Sequence, residues 1–289
     1  MTMNINLDLY SGRPNPDWQL PAVVSMQVFS LLNDLGLFKG NLHQPFPGRL
    51  GYRGLRVNVG PALSIKYRVP LTLSLSATGS FNHSKLMKEL SALAWAADFL
   101  GIKGFFDAIQ SVIKSLTGRG SGAASGGGAK AAKPTMGPCG FEMLPFDPSP
   151  WNQPAFQPTN NCYAYAANQR KSYSSKPQPG IGSGSRFSAI TGADVGAAAK
   201  RDGAHEVTDC FPDSEKPRCL VALVIWPGED YHWYRKHPDC WGHKPGGTVA
   251  RNTDESGAVI TNPQTCDRSD YTEFTGYMLL PKGLKVAAS

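Results

Sequence analysis

The chain contains no run of about 18 apolar residues, so nothing in it reads as a membrane-spanning helix. Its start, MTMNINLDLYSGRPNP, has no basic region followed by an apolar stretch. That sets aside a secretory signal of the usual kind and leaves cytoplasmic residence, or export by a route that needs no such signal. No cysteine precedes residue 139, and none of the six at 139, 162, 210, 219, 240 and 266 is spaced as CxxC, which argues against a zinc ribbon. Neither GSGAASGGGAK nor GIGSGS stands between a strand and a helix as a phosphate loop must. Dense Lys/Arg runs, zinc-finger spacings and RNP-like aromatic motifs are all missing. The net charge of +7 is therefore a weak pointer to nucleic acid. The excess sits in the front: residues 1–118 hold 11 Lys/Arg against 6 Asp/Glu, while 136–289 hold 15 against 16.

What is present suffices for two ordinary domains in 289 residues. The stretch GRGSGAASGGGAKAAKP buries too little apolar surface to offset its ordering entropy and reads as a flexible linker over 118–135. It separates a small α+β targeting or binding domain, 1–117, from a second domain, 136–289. In the first, NINLDLY alternates Ile5, Leu7 and Leu9 as a strand does. Residues 21–35 read as a helix with Pro21 in its first turn and Gly36 past its end. GLRVNV and SIKYRVPLTLSLSA read as strands, and two apolar helices follow between 84 and 116, with Ser84 as the cap of the first. In the second, NNCYAYAANQRKSY and ADVGAAAKRDGA read as helices. CLVALVIWPG, DYHWYRKH, CWGHKPGGTVA and YTEFTGYMLLP read as an antiparallel sheet.

Cys162 is the residue on which function turns. Asn160 or Asn161 can cap the helix that follows, which puts the thiol in the first turn, where the helix dipole favours a thiolate. The same asparagines could supply an amide donor to a developing oxyanion. A base would come from the sheet packed on this helix. His232, in DYHWYRKH, is the first candidate; by alternation it shares a face with Tyr234, while Tyr231 and Trp233 share the other. Asp254 and Asn262 are candidates to orient the imidazole, and His243, in WGHKPG, is a second base or a substrate contact.

Cysteine, then histidine, then a polar residue is the order of papain-like cysteine peptidases. NNCYAYAANQR resembles the helix start of the CHAP and NlpC/P60 groups over about a dozen residues. The resemblance implies an α+β papain-like domain, its antiparallel sheet packed on the cysteine helix. It implies a bacterial thiol hydrolase cutting a peptide or cell-wall amide through an acyl-enzyme; the two-domain layout fits an effector or toxin delivered without a classical signal. Cys162 would be nucleophile, His232 base, and Asp254 or Asn262 the third member, with no cofactor and no metal. The alternatives stay open. Cys162 could pair with Cys139, leaving Cys210–Cys219 and Cys240–Cys266 as further bridges in a disulfide-stapled binding or structural module. Such a module would present Trp226, Tyr231, Trp233, Tyr234 and Trp241 to a partner. Cys162 could be a plain buried thiol, or bind zinc with His232 and His243. Arg235, Lys244 and Arg251 read as a solvated face or as contacts to an acidic ligand. The apolar front helices could dock the chain in a larger assembly.

Overall fold

The computed structural model describes residues 2–39, 50–76, 82–91, 103–117, 140–208 and 213–288. The fold is mixed α/β with two antiparallel sheets. The chain forms two compact units. One comprises Met1–Leu9, Asn15–Pro47 and Gly51–Ser125; the other comprises Tyr10–Pro14, Gly48–Leu50 and Gly126–Ser289.

In the first unit, β1 (Met3–Asp8) and β2 (Asp17–Leu20) form a hairpin, followed by α1 (Ala22–Asp34). Then come β3 (Gly54–Val59), α2 (Pro61–Tyr67), β4 (Thr72–Ser76), α3 (His83–Ser91) and α4 (Lys103–Thr117). The sheet order is β2-β1-β3-β4. Met3, Ile5 and Leu7 point to the core, as a period of two requires. Val24, Val28 and Leu32, four residues apart, form the buried stripe of α1. Pro21 precedes that helix and Gly36, at φ +69°, follows it. Two expectations change. Residues 64–67 are helical rather than extended: they complete α2, which Pro61 opens in its first turn, where its fixed φ suits a helix. The cap of α3 is Asn82, whose Oδ1 accepts from Lys85 N at 2.9 Å, so Ser84 lies inside the first turn. Arg53 is fully buried and offers Nε and Nη2 to Asp8 Oδ1.

The second unit begins with irregular chain and α5 (Cys162–Ala166), then α6 (Gly192–Arg201) and β5 (His205–Glu206). The sheet is completed by β6 (Arg218–Trp226), β7 (Asp230–Lys236), β8 (Trp241–His243) and β9 (Glu273–Pro281), in the order β5-β9-β6-β7-β8. The helix at Cys162 ends after five residues, so Tyr173 is not part of it. β6 is buried along nearly its whole length because both faces are covered. Cys219, Val221, Leu223 and Ile225 pack on one side with α5 and α6 residues. Leu220, Ala222 and Val224 pack on the other with Trp241, Ile260 and Tyr271. β7 obeys the same alternation: Tyr231 and Trp233 belong to the first core and Tyr234 to the second.

Candidate functional site

Cys162 opens α5, and Asn161 caps it by accepting from Ala164 N at 3.2 Å. The expected cap is therefore correct, but the thiol is fully buried among Tyr163, Val195, Leu223, Tyr231 and Trp233. Its polar neighbour is the Tyr231 carbonyl at 4.0 Å. Burial, with Asp230 acting in the same direction, pushes the thiol well above its ordinary value. That is the opposite of what a nucleophile needs.

His232 lies on the other face of β7. Its ring packs against Tyr234, His243 and Tyr271, with centroids 4.9, 5.1 and 5.9 Å away. Alternation along the strand turns residues 231 and 233 toward Cys162 and residue 232 away from it. The thiol and imidazole are not brought together, and the zinc set Cys162, His232, His243 is not assembled for the same reason. Among the described residues no group of three or more His, Cys, Asp or Glu could hold a metal ion.

The remaining candidates are committed to the chain itself. Asn161 Nδ2 donates to Gly12 O and Pro177 O at 2.6 and 2.8 Å. Asn160 Nδ2 donates to Phe156 O and Lys171 O at 2.8 and 2.7 Å. Neither amide is directed at an oxyanion. Asp254 accepts from the backbone of Ser256, Ala258 and Asp267. These bonds hold its carboxyl below the usual range despite the opposing effect of burial. Asn262 Oδ1 accepts from Gln264 N, an ordinary side-chain turn.

The structure does join His232 to His243, in a buried polar chain that the sequence reading missed. His243 Nε2 meets Thr253 O at 2.9 Å. A carbonyl only accepts, so this nitrogen carries the proton of the neutral ring. His243 Nδ1 then accepts from His232 Nε2 at 2.9 Å, and His232 Nδ1 is hydrogen-bonded to Ser11 Oγ at 3.0 Å, an oxygen that also stands 3.1 Å from Asp230 Oδ2. Burial, reinforced by Arg251, pulls His243 down to about 3, in agreement with a neutral ring. Beside Ser11 stands Asp230, fully buried. It accepts from Ser11 N, Gly12 N, Arg13 N and Tyr271 OH at 2.6, 3.0, 2.9 and 2.5 Å. The sequence signal was available in SGRPNP, a turn-rich loop with a glycine, but nothing local linked it to a strand more than 200 positions away.

Lys244 and Arg235, expected at a solvated face, are interior, and Arg251 is half-buried. Lys244 Nζ donates to three carbonyls, Gln157 O, Asn160 O and Gly246 O, at 2.6, 2.5 and 2.7 Å. Arg235 donates to Tyr165 O and Asn168 Oδ1, both at 2.8 Å, and its guanidinium lies 4.3 Å from the Tyr165 ring centre. Arg251 pairs with Glu255. Tyr231, Trp233, Tyr234 and Trp241 are buried and Trp226 half-buried, so these five do not form the exposed aromatic surface considered above. Cys162, Cys219, Cys240 and Cys266 are free thiols, which removes the alternative of pairs Cys162–Cys139, Cys210–Cys219 and Cys240–Cys266 and leaves Cys162 a plain buried thiol. Cys139 and Cys210 lie outside the described residues.

Iodoacetamide applied to native protein between about pH 5 and 9 is expected to spare Cys162, since a sealed thiol is inert. Among the thiols of the described residues half-buried Cys266 should react first, and Cys162 only in denaturant, as read by peptide mass spectrometry. Rapid native labelling of Cys162 would contradict the burial described here.

The second unit is thus a two-cored sheet module whose interior polar groups bind its own backbone. The chain is 44% identical over 135 residues to insoluble matrix shell protein 1 of Ruditapes philippinarum, a match covering 46% of this chain and 87% of that protein. It belongs to the family of that shell matrix protein. No family model matches the chain, and no solved structure matches it. This kinship overturns the papain-like resemblance, and with it the bacterial cysteine hydrolase and the effector or toxin role. The short NNCYAYAANQR likeness reflected a capped helix start, a local feature that many folds share.

Proposed function

We propose that this chain is a non-catalytic structural module that acts by assembling into an insoluble extracellular matrix. The observation that carries the reading is its kinship with a protein named for such a matrix, across 87% of that protein's length. The inward commitment of Cys162, His232, His243, Asn160 and Asn161 supports it from the side of chemistry. In this reading, residues 1–117 and 136–289 are two domains joined by 118–135, and the partners are other matrix proteins.

The test is partition. Purified chain is mixed with demineralised shell residue, and the pelleted fraction is followed with concentration and salt. At about 1 M salt the screening length falls to about 3 Å, so attraction due only to the +7 net charge would vanish. Retention of most of the protein in the pellet at that salt is the expected result. Partition no greater than that of a basic control protein would sink the proposal, as would Cys162-dependent release of product from a peptide substrate.

A further inference from the structure

The loop Tyr10–Pro14 is held in the second unit as a bound peptide is held. Every residue that grips it lies at least 149 positions away in sequence. Asp230 collects three successive backbone N–H groups, from Ser11, Gly12 and Arg13. Gly12 O accepts from both Asn161 Nδ2 and Gln178 Nε2, at 2.6 and 2.9 Å. Lys176 Nζ donates to Tyr10 O and Arg13 O at 2.6 and 3.3 Å. Asp230, Asn161 and Gln178 are themselves fully buried. Their polar atoms are compensated by the loop, and an empty cradle would leave several of them unmatched.

The contacts also read side chains. Ser11 Oγ is hydrogen-bonded to His232 Nδ1 at 3.0 Å and stands within donating reach of Asp230 Oδ2 at 3.1 Å. Arg13 Nη1 donates to Glu229 O at 2.6 Å, with its guanidinium 4.4 Å from the Tyr10 ring centre. Tyr10 OH donates to Glu229 Oε2 at 3.1 Å, and its ring meets Trp226 edge-on at 6.4 Å. Gly12 admits no substitute: a Cβ there would stand 2.4 Å from Tyr231 O and 2.7 Å from the Tyr231 ring. The recognised element is therefore Tyr-Ser-Gly-Arg, presented with its backbone inward.

We propose that this cradle is a peptide-binding site and that it takes the Tyr10–Arg13 loop of a second copy of this chain in place of its own. Each copy carries one loop and one cradle. Reciprocal exchange between two copies closes a swapped dimer, whereas passing the loop to a different neighbour at each step generates an open assembly. The chain's own loop competes as a tethered ligand at an effective concentration of about millimolar. Exchange is accordingly suppressed in dilute solution and favoured at the packing densities of a solid matrix. The proposal rests on the assembly reading for its purpose, but peptide capture and partition are separate measurements. Capture without partition would leave the cradle standing and the matrix role refuted. Partition without capture would do the reverse.

The test uses the full chain carrying Gly12→Val, which expels its own loop, and a synthetic peptide LDLYSGRPNP with p-benzoylphenylalanine at the tyrosine. Saturable binding to the variant, at least about tenfold tighter than to the unaltered chain, is expected. Photo-adducts should fall near Trp226 and Glu229, and a peptide with valine for glycine should not bind. Where the variant does not fold, the unaltered sequence with p-benzoylphenylalanine in place of Tyr10 is used as a mixture of light and heavy isotopic forms. Light–heavy adducts near Trp226 that rise with concentration are then expected. No saturable peptide binding by a folded variant would overturn the proposal, as would adducts that stay within single chains up to about millimolar protein.

Discussion

Lys244→Met is expected to lower the unfolding free energy by about 2–4 kcal/mol. Methionine nearly matches the length of the lysine stem but donates nothing. The three carbonyls of Gln157, Asn160 and Gly246 that now share one ammonium would lose it together. An orphaned buried acceptor costs about 1–3 kcal/mol. Removing a buried cation also relieves its own desolvation, which offsets part of the loss. The loss should prevail because the acceptors remain, fixed in two backbone segments, 157–160 and 246. Urea unfolding should show a lower midpoint with little change in slope. A change below about 1 kcal/mol would mean that water replaces the ammonium, and that Lys244 is not the clamp its geometry indicates.

The second large effect is acid sensitivity above the range where carboxylates titrate. His243 is pulled down to about 3, chiefly by burial and then by Arg251. His237 is pulled down to about 4, chiefly by burial and then by Arg235, while bonded to Tyr165 OH and Leu144 O. Both bases have folded values below the unfolded value of about 6.5. The unfolded chain therefore takes up protons first, and stability falls as pH drops below about 6.5 until the folded values are reached. The slope is about 1.4 kcal/mol per pH unit for a fully buried ring, so His243 alone removes about 2 kcal/mol between pH 6.5 and 5. His237 acts in the same direction. Asp254, held below its usual value, loses its contribution only at lower pH. Urea titrations at pH 7.5, 6 and 5 should show the decline, and His243→Gln should make it shallower. A flat profile from pH 7.5 to 5 would show that these rings are not held neutral.

Much of the second sheet was legible because its signals are local. A continuous apolar run bounded by turns gave β6, and its burial on both faces follows from that composition. The asparagine before Cys162 was legible as a cap, since capping depends on atoms three residues apart. The charged residues near the end of the chain were not legible as interior. Lys244 and Arg235 look like surface groups in any window of sequence, and only carbonyls supplied from distant segments make their burial tolerable. The cysteine–histidine pairing failed in a similar way. Two residues with suitable chemistry were assigned to one site although no local signal said which face of the strand the helix would cover.

By itself the sequence determined that residues 231 and 233 of β7 share one face and residue 232 the other, because successive side chains of a strand must alternate. It also determined that Gly12 stands in a tight loop after the first strand. Tertiary structure alone decided that α5 covers the 231/233 face, leaving Cys162 sealed and His232 in a separate polar chain. It likewise decided that residues 10–14 belong with a sheet whose strands begin 200 residues later. Alternation and turn chemistry are set by neighbouring atoms. The choice of face and partner is set by which distant surfaces bury the most apolar area while satisfying most of the polar groups they enclose.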